Sequence, residues 1–167
     1  MDEAMLVLRV ALGVVMFFHG SEKLFGWWGG DGLAGAAEFF ARQGYRPPLL
    51  MAVVAGAAET AAGALLVAGL ATPLACLLLV STLVNVMALH LRNGLSRKNN
   101  GFEYELVLLA GTVAVLLAGA GRWSLDGVIG LPAPTPTQAA VVLAVATAGG
   151  LAVVASRRRP APIGATR

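Results

Sequence analysis

MAVVAGAAETAAGALLVAGL, Met51 to Leu70, is a run of small and apolar side chains with one ionisable group, Glu59, near its middle. A helix of roughly 20 apolar residues spans a hydrocarbon core of about 30 Å. In lipid every backbone polar group must be satisfied internally, which leaves helices or closed barrels. Barrel strands are about ten residues long and alternate in polarity; this run is longer and does not alternate. It is therefore a membrane-spanning helix. A charge near its midplane costs at least about 2.5 kcal/mol. Glu59 must be protonated, be paired, or face a polar interior. The bland alternative is a structural acid bonded to Asn85 or Thr60.

Outward from this stretch the chain repeats the pattern. Apolar segments run over about 4–25, 49–70, 73–91 and 102–120, and a fifth, rich in Ala, Val and Gly, covers 138–156. The fold class expected is all-α: a bundle of four transmembrane helices within residues 1–130, plus a fifth C-terminal transmembrane helix. LPAPTPT, residues 131–137, is a stiff proline-rich linker between them, and 157–167 is a basic tail. Ala71-Thr72-Pro73 is a tight connection that makes the second and third helices an antiparallel hairpin. LAGAAEFFARQ, Leu33 to Gln43, is amphipathic and suits the interface, with Phe39 and Phe40 toward lipid and Glu38 and Arg42 toward water. The first segment lacks a basic n-region and is followed by charged HGSEK, so it is not read as a cleaved signal peptide.

Composition agrees. The chain has 167 residues, 57% hydrophobic and 13% charged, against about 45–50% and 25% in a soluble domain. That leaves no room for a separate soluble catalytic domain. No basic patch interleaved with aromatics points to nucleic acid. The single cysteine, Cys76, excludes an intrachain disulfide, a CxxC redox pair and a thiolate zinc site.

Lys and Arg set the orientation. With five spans, Lys23 to Arg46, Arg92 to Lys98 and the tail fall on one side and carry ten of the twelve basic residues. The expectation is a multi-pass protein of the bacterial cytoplasmic membrane with its C-terminus in the cytoplasm. His19 to Glu22 is i,i+3 and His19 to Lys23 is i,i+4, one face of the first helix. His90 ends the third helix, and Glu103 and Glu105 start the fourth at the same level. Glu59 is expected roughly 10 Å deeper by helix rise. Arg9 is expected to snorkel outward or to pair with a carboxylate. Two histidines at different depths do not mark a haem site, and no metal is assigned.

The chain resembles the DoxX family of small bacterial membrane proteins. The resemblance rests on Arg9 and Gly13, FFHGSEKLFG (17–26), FFARQGYRPP (39–48), AGAAETAAGALLVAGL (55–70) and NNGFEYELVLLAGTVAVLLAGAGRWSLD (99–126). It covers Leu6 to Asp126, and the fifth segment lies outside it. The resemblance implies a four-helix bundle in the cytoplasmic membrane and an association with redox chemistry. Some relatives are subunits of thiosulfate:quinone oxidoreductase, and others are linked to complexes that handle oxidative stress and thiols. Thiol oxidation by cysteine pairs does not carry over to a chain with Cys76 alone.

The leading expectation is thus a component of a membrane redox system, an oxidoreductase subunit if it is an enzyme, with its cofactor open and quinone the candidate. Glu59, His19 and Glu103 are the candidate catalytic residues. Lys23, His90, Glu105 and Glu22 are the candidates for headgroup binding. The partners expected are the bilayer and either other proteins or further copies of the chain. A non-catalytic scaffold that assembles partner proteins is the alternative. A small transporter or proton pathway through Glu59 is third, weakened by the lack of an internal repeat.

Overall fold

Glycine spacing determines how the bundle closes. In the computed structural model, which describes residues 2–158, α1 (Asp2–Phe25) and α3 (Pro48–Ala68) run antiparallel with almost nothing between their backbones. A Cβ on Gly13 would lie 2.7 Å from the Gly63 carbonyl, and one on Gly20 would lie 2.4 Å from the Thr60 nitrogen. Gly13/Gly20 on one helix and Gly56/Gly63 on the other repeat at seven residues, which keeps both pairs on facing stripes.

The register that follows is informative. Gly20 is level with Thr60, and Leu24 packs on Gly56. The end of α1 therefore meets the middle of α3 rather than its start. The first turns of α3 are covered instead by α2 (Gly32–Arg42), whose Leu33, Ala36, Ala37 and Phe40 pack with Tyr45, Met51, Ala52 and Ala55. The amphipathic segment is a helix as expected, but Phe40 turns into this cluster while Phe39 stays exposed. Glu38 and Arg42 pair on its outer face at 2.6 Å.

α3 closes in a Schellman turn, with Gly69 at φ 64° and the Leu70 amide donating to the Leu65 carbonyl at 2.9 Å. α4 (Thr72–His90) begins three residues later, with Pro73 in its first turn, and completes the expected hairpin. α5 is Glu103–Ala118, sixteen residues, or about 24 Å of helix. A four-residue α6 (Leu125–Val128) follows, and then α7 (Pro136–Ala155), which opens on a Thr135/Gln138 capping box.

Among the described residues, four helical stretches are long and apolar enough to cross a membrane: Asp2–Phe25, Pro48–Ala68, Thr72–Asn93 and Pro136–Ala155. The protein is an all-α membrane protein, with no strand among the described residues. α7 lies along α4. The Ser81 hydroxyl donates to the Ala146 carbonyl at 3.0 Å, and Gly150 sits too close to the Ser81 carbonyl to carry a side chain. The remainder of the core joins Leu12 and Met16 of α1, Leu66 of α3, Leu79 of α4 and Val115 and Leu116 of α5.

α7 ends against the loop between α2 and α3. Arg157 Nε donates to the Gln43 carbonyl at 2.8 Å, and the Arg158 amide donates to the Gly44 carbonyl at 2.9 Å. The loop 26–47, the loop 91–102 and residues 157–158 thus share one end of the bundle, the basic end. Residues 159–167, most of the expected basic tail, lie outside the described residues.

Candidate functional site

Glu59 is 3% exposed and is held by Lys23, whose Nζ lies 2.6 Å from Oε2. Neither Asn85 nor Thr60 is its partner. Thr60 bonds back to the Gly56 carbonyl at 2.7 Å, and Asn85 accepts from the Tyr45 hydroxyl at 2.9 Å. The expected separation in depth also gives way to direct contact. With Gly20 level with Thr60, Lys23 lies about one turn from Glu59, within reach of a lysine side chain. Lys23 Nζ also donates to the His19 carbonyl at 3.3 Å, so the ammonium is bound on both sides.

The His19 ring leads away from this pair. Its Nε2 lies 3.0 Å from the Tyr104 hydroxyl on α5, and its Nδ1 lies 3.8 Å from Glu22. Tyr104 carries the Arg97 guanidinium over its ring at 5.3 Å. Glu105, 8% exposed, meets His90 Nδ1 at 3.1 Å through Oε1. Its Oε2 is buried with no hydrogen-bond partner.

Two acid–base pairs result, Glu59 with Lys23 and Glu105 with His90, and the His19–Tyr104 bond lies between them. Six of the seven candidates, Glu59, His19, Lys23, Glu22, His90 and Glu105, lie in these contacts. Glu103 does not join them; it stays exposed on the first turn of α5. Two residues turn a helix by about 200°, so Glu103 and Glu105 cannot both face inward. Tyr104 and Tyr45 were missed by the sequence reading. A tyrosine beside two acids carries no spacing signature, and only the register of α1 on α5 makes Tyr104 a partner of His19.

Arg9 corrects a second expectation. It is 1% exposed and points inward, donating to the Leu66 carbonyl at 2.9 Å, the Val67 carbonyl at 2.7 Å and the Trp123 carbonyl. The guanidinium adds to the Schellman cap of α3: the Leu66 carbonyl already accepts from the Gly69 amide at 3.1 Å, and the Val67 carbonyl gains a donor that snorkelling would remove. Asp126 matches it on the next helix. Its carboxylate accepts from the Ala71 and Thr72 amides, at 2.8 and 2.9 Å, and from the Thr72 hydroxyl at 2.7 Å. Arg9 and Asp126 brace the α3–α4 turn at the end opposite the polar cluster.

Two cavities lie outside the cluster. One, of about 520 Å³, is an apolar groove lined by Val14, Phe17, Phe18, Trp28, Ala64 and Val67, among others. Trp28 reaches it by folding back along α1, stacking on Phe18 and donating from its indole nitrogen to the Ser21 hydroxyl at 3.2 Å. The other, of about 300 Å³, lies beside Asp126 at the opposite end.

The DoxX family model matches residues 4–91. The chain belongs to the DoxX family. It is 31% identical over 121 residues to "Putative oxidoreductase CatD" of Bacillus subtilis (strain 168), covering 72% of this chain and 83% of that protein. No solved structure matches the chain. This DoxX protein is thus a bacterial multi-pass membrane protein. The matched residues contain Arg9, His19, Lys23, Glu59 and His90; Tyr104, Glu105 and α7 lie beyond them.

Proposed function

We propose that this DoxX protein is a membrane component of a redox or oxidative-stress system, and that its polar cluster exchanges protons with a quinone headgroup. The observation that carries the reading is the pairing of two buried carboxylates, each with its own base, on either side of the His19–Tyr104 bond. The name of the Bacillus subtilis relative, an oxidoreductase, supports the redox half of it. The excess of Lys and Arg supports a bacterial cytoplasmic membrane with the basic end facing the cytoplasm.

The donor set suits a quinol in one respect. Glu105 Oε2 is a buried acceptor without a partner, and a quinol hydroxyl is a donor. His19, Glu22 and Lys23 are only part-buried and would hold the headgroup from the α1 side. A bound quinone supplies two-electron, two-proton chemistry. The chain supplies groups that hold and pass protons, Glu105 with His90 and His19 with Tyr104, while Lys23 is held beside them by Glu59.

Two observations favour a scaffold instead. The two cavities described above lie away from the cluster, and Glu59 is already paired with Lys23. In that reading the cluster pins helices together, and the loops of the basic end bind partner proteins. Mass spectrometry of the purified protein separates the two. Stoichiometric quinone, lost in Glu105→Gln while the fold is kept, is the expected result. A stoichiometric protein partner with no redox ligand overturns the quinone reading.

A further inference from the structure

The C-terminal end of α7 does more than follow a membrane span. Arg157 Nε donates to the Gln43 carbonyl at 2.8 Å, and its guanidinium lies over the Tyr45 ring at 5.3 Å. The Arg158 amide donates to the Gly44 carbonyl at 2.9 Å. Gly44 has φ +85°, and a Cβ there would lie 2.2 Å from the Arg158 carbonyl oxygen, so the contact requires glycine on two counts.

The loop gripped in this way is fixed from beneath as well. Tyr45 is 1% exposed, its ring meets Phe40 edge-on, and its hydroxyl donates to Asn85 of α4 at 2.9 Å. Burial pushes the Tyr45 phenol above its ordinary pKa, so it stays a neutral donor. Tyr45 therefore links three elements: α2 through Phe40, α4 through Asn85, and the end of α7 through Arg157.

What the loop holds in place is α2. α1 reaches Gly56 through Leu24, and the turns of α3 below it, at Met51, Ala52 and Ala55, are covered by α2, with Leu89 of α4 in the same cluster. Ala55, packed under α2, is one helical turn from Glu59. Removing α2 would uncover the flank of α3 that leads from the basic end toward Glu59.

We propose that Arg157 and Arg158 latch α2 shut against the first turns of α3, so that the end of the last helix controls access from the basic end to the flank of α3 that leads toward Glu59. The inference rests on contacts outside the cluster and stands whether the cluster meets a quinone or only joins helices.

The test uses the full chain in lipid nanodiscs. Cys76 is the one cysteine and is buried in the core away from α2. A reporter, Ala52→Cys, is placed in a Cys76→Ser background, because Ala52 is fully buried under Phe40 and Tyr45. Its rate of reaction with a water-soluble maleimide is compared with and without Arg157→Ala, and separately with Gly44→Ala. Loss of a hydrogen bond to a charged donor predicts labelling about tenfold faster in Arg157→Ala, and the clash with the Arg158 carbonyl predicts faster labelling in Gly44→Ala as well. Native Cys76, labelled in the same variants without the reporter, is expected not to change. An unchanged rate at position 52, or equal acceleration at 52 and 76, overturns the latch.

Discussion

Lys23 is the partner of Glu59. A carboxylate 3% exposed in the middle of a spanning helix has an ammonium 2.6 Å away. Breaking a buried pair by removing one partner typically costs about 3–5 kcal/mol, whereas removing both charges costs much less. Lys23→Met is therefore expected to lose stability on that scale, and Lys23→Met/Glu59→Gln to regain most of it. Detergent unfolding curves of the two single variants and the double check this; a double variant no better than Lys23→Met would mean that the pair is not the cause. Glu59, Lys23 and the histidines were legible as residues out of place in an apolar chain. Their pairings were not. Each depends on helix rotation, and one residue turns a side chain by about 100°. Glu103 and Glu105 show the effect, since the sequence nominated both and the helix turns only Glu105 inward. Arg9 was hidden for another reason: its partners are backbone carbonyls of distant segments, which no letter of the sequence marks.

Helices were legible where their chemistry is self-contained. The spans, the α3–α4 hairpin and the amphipathic α2 follow from apolar runs, prolines and periodicity. The place of α2 does not, because it depends on where α1 stops against α3. That register is fixed by the glycine seam, and the seam is testable. A Cβ on Gly63 would lie 2.4 Å from the Phe17 nitrogen and 2.6 Å from the Gly13 carbonyl. Gly63→Val has no room to relax against backbone and is expected to cost at least about 1–3 kcal/mol. It should also separate α1 from α3, weakening the Lys23–Glu59 contact. Spin labels on exposed Val14 and Val53 would read the change as a longer, broader distance distribution; an unchanged distribution would mean that the seam does not set the register.

For the whole molecule, the order of the helices brings the loops rich in Lys and Arg and residues 157–158 to one end, and contact between Arg157 and Gln43 fixes two of these segments together. Single cysteines at Arg42 and Arg97, in a Cys76→Ser background, should label from the same face of a sealed vesicle, and one at Arg122 from the opposite face. Labelling of positions 42 and 97 from different faces would refute the arrangement. The same architecture has two halves that share one core, with α1, α2 and α3 on one side and α4, α5 and α7 on the other, joined also at the far end by the turn that Arg9 and Asp126 brace. Lys23 and Glu59 both belong to the first half; His90 and Glu105 both belong to the second. His19–Tyr104 and Tyr45–Asn85 cross from one to the other. A scissor-like parting of the basic end would therefore cut the crossing bonds yet leave neither acid stranded, because each half keeps a neutralised pair of its own.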